Sequence, residues 1–337
     1  MSPELFVEVT RNGTVESQHF GAAVVCDFKG AVLESWGDIE KLVFPRSALK
    51  PFQAIGVVES GASDRYALGN AEISLASASH RGEPMHLEGV TSWLARLGLN
   101  QDHLACGAEL PEDEATARQL LASGQEPCRY HHNCSGKHVA FLTTALHLKE
   151  PVANYHQVGH PVQQMSLDVI SDLSQTEIRN YPMGIDGCGF PAPAMPLVNL
   201  GIAMARFANP SELPDSRARA IRRIHEAVTD KPLYVAGHGS VVSELIQVTS
   251  GAILAKTGAE GVLIAALPRR GIGIALKIAD GNARARPVAL LAILDLLGAL
   301  SAQEKHRLRA HINPEITNSQ GLVVGEIRPA ASWMEAR

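Results

Sequence analysis

Apolar residues recur in two different rhythms along the chain. At both ends they form short runs rich in β-branched and aromatic side chains; in the middle they fall at helical spacing. Residues 6–10 read as a strand, Gly13 marks a turn, and 21–28 with 31–36 read as a hairpin closed by Lys29 and Gly30. Near the other end, 252–257, 262–267 and 272–278 are apolar runs separated by Gly258, Gly261 and a turn at 268–271, which predicts consecutive antiparallel strands. Between them, Leu87, Val90, Leu94 and Leu97 share one helical face, as do Val139, Leu142 and Leu146. Ala218, Ile221, Ile224 and Val228 give a third face, with Arg217, Arg219, Arg222 and Arg223 on the solvated side. The stretch 287–300 opens on proline and is apolar nearly all round, so it predicts a buried helix against the sheet. The expected architecture is α/β: an antiparallel sheet built from both chain ends, helices packed on it, and an inserted helical lobe. The expected boundaries are 1–46 and 233–337 for the sheet region and 47–232 for the helical insertion.

Composition narrows the function classes. With 45% hydrophobic and 19% charged residues the 337-residue chain is ordinary globular material, and a disordered chain is excluded. A net charge of −5 without basic blocks argues against a nucleic-acid partner. The longest apolar stretch stops at Asp295, too short to span a bilayer, and the first twenty residues carry Glu4, Glu8, Arg11 and Glu16 in place of a signal-peptide core. The expectation is a cytoplasmic protein with no membrane partner. Five cysteines, an odd number without framework spacing, then read as free thiols or metal ligands.

The lysines are few, nine in all, and one has a serine three residues before it: Ser47 and Lys50 in Pro45-Arg46-Ser47-Ala48-Leu49-Lys50. If Ser47 opens a helix, Lys50 lies on the same face one turn on, where a neutral amine can take the serine's proton. S-x-x-K alone is a weak signal, because a helix-capping serine followed by a surface lysine has the same spacing. Lys256-Thr257-Gly258 on a predicted strand strengthens it, since acyl-serine enzymes of the β-lactamase type keep a K-T-G strand near the C-terminus. Their S-D-N element is absent. In its place stands Ser79-His80-Arg81-Gly82-Glu83, where Ser79 with Lys256 makes a second Ser–Lys pair; a helix C-terminus stopped by Gly82 is the competing reading.

Cys134, Lys137 and His138 share a helical face after His131-His132-Asn133, and Asp186 and Cys188 sit in a glycine-rich bend. Two thiolates, an amine or imidazole, and a water suit zinc with one open position, although C-x-x-C spacing is missing; two core thiols are the plain alternative.

Taken in order, Arg46-Ser47-Ala48-Leu49-Lys50-Pro51-Phe52-Gln53, Ser79-His80-Arg81-Gly82-Glu83, His132-Asn133-Cys134-Ser135-Gly136-Lys137-His138, Asp186-Gly187-Cys188-Gly189 and Lys256-Thr257-Gly258 resemble the Rhizobium etli-type (class 3) L-asparaginases, the L-asparaginase II family. The resemblance runs over essentially the whole chain. It implies an amidohydrolase that converts L-asparagine and water to L-aspartate and ammonia, a fold related to serine β-lactamases and glutaminases, and a homodimer. It also implies that Ser47 with Lys50 and Ser79 with Lys256 are the catalytic pairs, and that Cys134, Lys137 and Cys188 hold zinc, with Asp186 acting through bound water. On this footing Ser47 attacks the carboxamide and Lys50 takes its proton, giving an acyl-serine intermediate. Backbone N–H groups at the start of the Ser47 helix are natural oxyanion donors, and Arg46, His80 and Glu83 are candidates for gripping the α-carboxylate and α-amine. Three rivals stand beside this reading: a penicillin-recognising acyl-serine hydrolase, a thiol amidase using Cys188, and a non-catalytic amino-acid- or zinc-binding protein of the same fold.

Overall fold

The computed structural model describes residues 2–335. Its main strands are β1 (Glu4–Arg11), β2 (Thr14–Asp27), β3 (Val32–Trp36), β4 (Leu254–Thr257), β5 (Val262–Leu267), β6 (Ile272–Ile278), β7 (Glu315–Thr317) and β8 (Val323–Pro329). Its main helices are α1 (Asn70–Ala76), α2 (Pro84–Arg96), α3 (Ser135–Leu148), α4 (Pro161–Ser174), α5 (Leu197–Ala208), α6 (Asp215–Asp230) and α7 (Ala285–Leu296). They fall into two compact units. One comprises Met1–Ala48, Met195–Asn209 and Val248–Arg337, the other Leu49–Ala194 and Pro210–Gln247. No described helix is long and apolar enough to cross a membrane.

The first unit is an eight-stranded sheet in the order β7-β8-β1-β2-β6-β5-β4, with β3 also on β2. Each pair is antiparallel, and β1 lies between β2 and β8, so both chain ends build the sheet as the strand patterns predict. Asn12 and Gly13 join β1 to β2 with φ of 46° and 81°, the left-handed pair that a tight hairpin demands. Strand β5 is buried at every position, so both its faces are covered. Part of that cover is α5, which packs on β2, β5 and β6. It comes close because β6 has Gly273 beneath it: a Cβ there would stand 2.1 Å from the Ala205 nitrogen.

That packing moves the expected domain boundaries. Residues 195–209 belong to the sheet unit because α5 covers the sheet, whereas 233–247 belong with the helices. Two further differences have local causes. The β7–β8 pair is absent from the sequence reading because little of it is buried, so it carries no alternation. Helix α7 starts at Ala285 and ends at Leu296, so Pro287 is its third residue; the first-turn N–H groups have no intrahelical partner, and proline is tolerated there.

In the second unit α1 packs against α2, α3 and α6, and α3 against α4. Ala218, Ile221, Ile224 and Val228 are buried on α6, as their spacing predicts, but Arg217 is not a solvated residue: it pairs with Glu59 and Asp172. Helix α3 is buried at every position from Ser135 to Ala145, a central helix and not a one-faced one. Its N-terminus presses on the end of α1 through Gly136, where a Cβ would lie 2.5 Å from the Leu75 carbonyl oxygen. That approach brings the segment after α1 alongside the start of α3.

Candidate active site

Lys50 opens a four-residue helix, Lys50–Gln53, and its side chain is fully buried. Its Nζ donates to Ser79 Oγ at 2.8 Å. Ser79 lies in the irregular segment beyond α1, not on a helix end, and its N–H donates to Val235 O at 3.0 Å. The spacing argument paired Lys50 with Ser47 and Ser79 with Lys256; the Lys50–Ser79 bond was not foreseen, since no sequence rule links positions 29 apart.

His80 and Glu83 do not have the roles expected of them. His80 is fully buried, and both ring nitrogens are used within the protein: Nδ1 accepts from Gly82 N–H at 3.1 Å and Nε2 bonds Ser135 Oγ at 2.8 Å. Burial first, then the charges of His86 and Lys50, hold its pKa well below the usual imidazole value. No ring nitrogen remains to grip a substrate's α-carboxylate. The buried Glu83 carboxylate accepts from the His238 N–H at 2.7 Å and from its Nδ1 at 2.6 Å, so it holds the 237–239 turn and is not free for an α-amine. Gly237, at φ 78°, is what lets that turn close over Glu83.

The cysteine motif converges as the shared helical face suggests. Cys134 caps α3, Lys137 is one turn in, and Cys188 projects from the bend between two short strands, Met183–Ile185 and Pro191–Pro193; all three are buried. Lys137 Nζ donates to Cys188 Sγ at 3.1 Å and stands 3.9 Å from the centre of the Phe190 ring. The two sulfurs are close enough to influence each other's titration. Cys188, helped by Lys50 and Lys137, holds Cys134 well below the usual thiol range despite burial, while Cys134 and burial push Cys188 up. Burial works against the Lys137 ammonium, but Cys188, Cys134 and Asp186 outweigh it and raise its pKa. The result is a buried cluster of two sulfurs and an amine, in which Cys134 Sγ also lies 3.0 Å from Asn133 Oδ1.

Its chemistry fits zinc. Sulfur and nitrogen donors of borderline softness are already within contact, and each can release its proton to an incoming ion. Among the described residues no three His, Cys, Asp or Glu side chains group to hold a metal, so a three-donor set at this cluster would include the Lys137 amine. His138, the imidazole alternative, points its Nδ1 to Tyr155 Oη at 2.5 Å and tilts against Phe190. Tyr155 went unread because a lone tyrosine in a loop has no periodicity to betray it.

Within the sheet unit, Arg46 takes a left-handed φ of 52° immediately before the half-buried Ser47. A non-glycine residue in that region costs about 1–3 kcal/mol, and such strain collects at working sites. Ser47 sits in a 3₁₀ turn, Arg46–Leu49, in place of the expected α-helix. The preceding Pro45 carbonyl lies against the end of β4: a Cβ on Gly258 would be 2.3 Å from it. Lys256 is buried on β4, and its Nζ donates to Thr257 O at 2.8 Å. Arg286 donates to the Gly258 carbonyl, fixing that strand end. The K-T-G strand and the Pro45-Arg46-Ser47 segment are therefore neighbours in space.

The family model for L-asparaginase II matches residues 7–329. No curated protein matches the sequence. Among solved structures the chain is similar to a β-lactamase from Mycobacterium bovis, at 14% identity and a TM-score of 0.41, over 87% of this chain and 95% of that one. It is similar to the protein Mglu at 13% identity and a TM-score of 0.49, over 83% of this chain and 67% of that one. A D-alanine carboxypeptidase from Burkholderia cenocepacia matches at 12% identity and a TM-score of 0.38, over 87% and 92%.

Proposed function

The chain belongs to the L-asparaginase II family of amidohydrolases, and from that membership we propose that it hydrolyses L-asparagine to L-aspartate and ammonia through an acyl-serine intermediate. The observation that carries the reading is the buried Lys50 amine hydrogen-bonded to Ser79 Oγ at 2.8 Å. Ser47, three residues before Lys50, attacks the side-chain carboxamide, and Lys50 takes its proton. Ser79 passes a proton to the departing nitrogen, so the C–N bond breaks and ammonia leaves. Water then hydrolyses the aspartyl ester and frees Ser47. The strained Arg46 supports Ser47 as the nucleophile, because it sets the direction in which the next residue leaves the chain. Lys256 is the second amine of the family pattern.

Zinc is part of the proposal. Cys134, Lys137 and Cys188 would hold it, and when bound it would supply a fixed positive charge for orienting substrate. The homodimer implied by the family is proposed as well.

Ammonia release from L-asparagine, with L-glutamine at equal concentration in parallel, tests the reaction. Ser47→Ala is expected to abolish turnover and Ser79→Ala to lower kcat about 100-fold; near-wild-type turnover by Ser47→Ala overturns the choice of nucleophile. Elemental analysis is expected to find zinc in the wild-type chain and to lose it in Cys188→Ala, and sedimentation equilibrium reads the dimer directly.

A further inference from the structure

We propose that His80 is a positioning residue of the reaction: its imidazole locks the Ser79 segment onto the start of α3 and so fixes the Lys50–Ser79 pair beside Cys134 and Lys137. The proposal rests on the reading of Lys50 and Ser79 as working parts of an amidohydrolase.

The hydrogen-bond directions leave one arrangement. Gly82 N–H donates to His80 Nδ1 at 3.1 Å, so Nδ1 carries no proton. Ser135 Oγ gives its proton to Tyr130 O at 3.0 Å, so toward His80 it can only accept. The proton between the ring and Ser135, 2.8 Å apart, therefore belongs to Nε2. A second tie runs beside it, from His80 N–H to Asn133 O at 3.2 Å.

His86 backs the same ring. It stacks on His80 with centroids 5.1 Å apart and planes at 19°. Its Nδ1 accepts from Glu83 N–H at 3.1 Å, and its Nε2 bonds Leu233 O at 3.0 Å. Ser79 is thus held on two sides, by Val235 O on its own N–H and by the His80–Ser135 bond one residue on. Ser135 directly follows Cys134, so one imidazole connects the serine segment to the thiol segment.

Two variants separate positioning from simple filling. In His80→Gln the side-chain NH₂ falls where Nε2 stood and can still donate to Ser135. In His80→Asn the amide reaches only to the Nδ1 position, so the Gly82 bond survives and the Ser135 bond is lost. Both lose the stacked ring, so both are expected to lower Tm by similar amounts. Only His80→Asn is expected to lower kcat, about 30-fold, with KM within about threefold of wild type; His80→Gln should stay within about threefold in kcat. Ser135→Ala should repeat the kcat loss, and the His80→Asn/Ser135→Ala double variant should be no slower than either alone. Wild-type kcat in His80→Asn, or equal kcat losses in the Gln and Asn variants, overturns the proposal.

A wild-type chain that releases no ammonia refutes the asparaginase reading instead. His80 is then judged by nuclear magnetic resonance. A slowly exchanging Nε2–H proton that vanishes in Ser135→Ala supports the lock, and its absence from the wild type overturns it.

Discussion

Lys50 keeps an amine where none of its surface meets water, and a buried polar group is tolerated only when it is bonded. The bond to Ser79 meets that requirement and is also what the chemistry needs. Lys50→Met keeps the length and removes the amine. It is expected to cut turnover at least about 100-fold and to lower stability by about 1–3 kcal/mol, because removing one partner of a hydrogen bond takes from the Ser79 hydroxyl the amine it accepts from; activity assay and thermal melt read the two separately. At this scale the sequence names candidate residues but not what they touch. Motif spacing offered Ser47 with Lys50, while the family resemblance supplied the catalytic pairing of Ser79 with Lys256 and the choice of Lys137 beside Cys134 and Cys188. Neither supplied the Lys50–Ser79 bond or the inward commitments of His80 and Glu83, because each joins segments that only folding brings together.

Two glycines set the spacing between elements. Gly136 lets α3 rest on the Leu75 carbonyl of α1, and Gly258 lets β4 end against the Pro45 carbonyl. Gly136→Ala should push α3 away from α1, lowering stability by about 1–3 kcal/mol and, because Cys134 and Lys137 travel with α3, weakening the proposed zinc site; urea unfolding and elemental analysis check both. Gly258→Ala crowds the carbonyl just before Arg46 and Ser47. The expected result is a loss of kcat of about tenfold or more with the fold intact by circular dichroism. Both glycines lie inside the recognised motifs, yet their reason for being glycine is a backbone approach that no spacing rule reports. Elements with a clear apolar pattern, helical in α6 and a continuous run in β5, were legible; β7 and β8, half exposed, and α5, whose place on the sheet depends on Gly201 and Gly273, were not.

For the molecule as a whole, buried neutral histidines tie stability to pH. Burial is the first cause lowering the pKa of both His80 and His86 from an ordinary value of 6.5. The unfolded chain therefore binds these protons first. Above about pH 6.5 the two states hold equal numbers and the histidines contribute nothing to the slope; below it the unfolded state gains protons that the folded state refuses, and stability falls as pH drops. Each fully buried histidine contributes up to about 1.4 kcal/mol per pH unit in that window. Urea midpoints are expected to decline from pH 7 to 5, and His80→Gln, lacking a titrating ring, should decline less steeply. By itself the sequence determined the α/β class, the sheet made from both chain ends, the family and a list of candidate reactive residues, because periodicity and ordered motifs are local properties that survive in one dimension. Tertiary structure decided that α5 joins the sheet unit, that Lys50 meets Ser79, and that His80 and Glu83 face inward. Those outcomes depend on which buried polar groups find partners, and partners far apart in the chain are chosen only when the packed chain leaves each donor an acceptor.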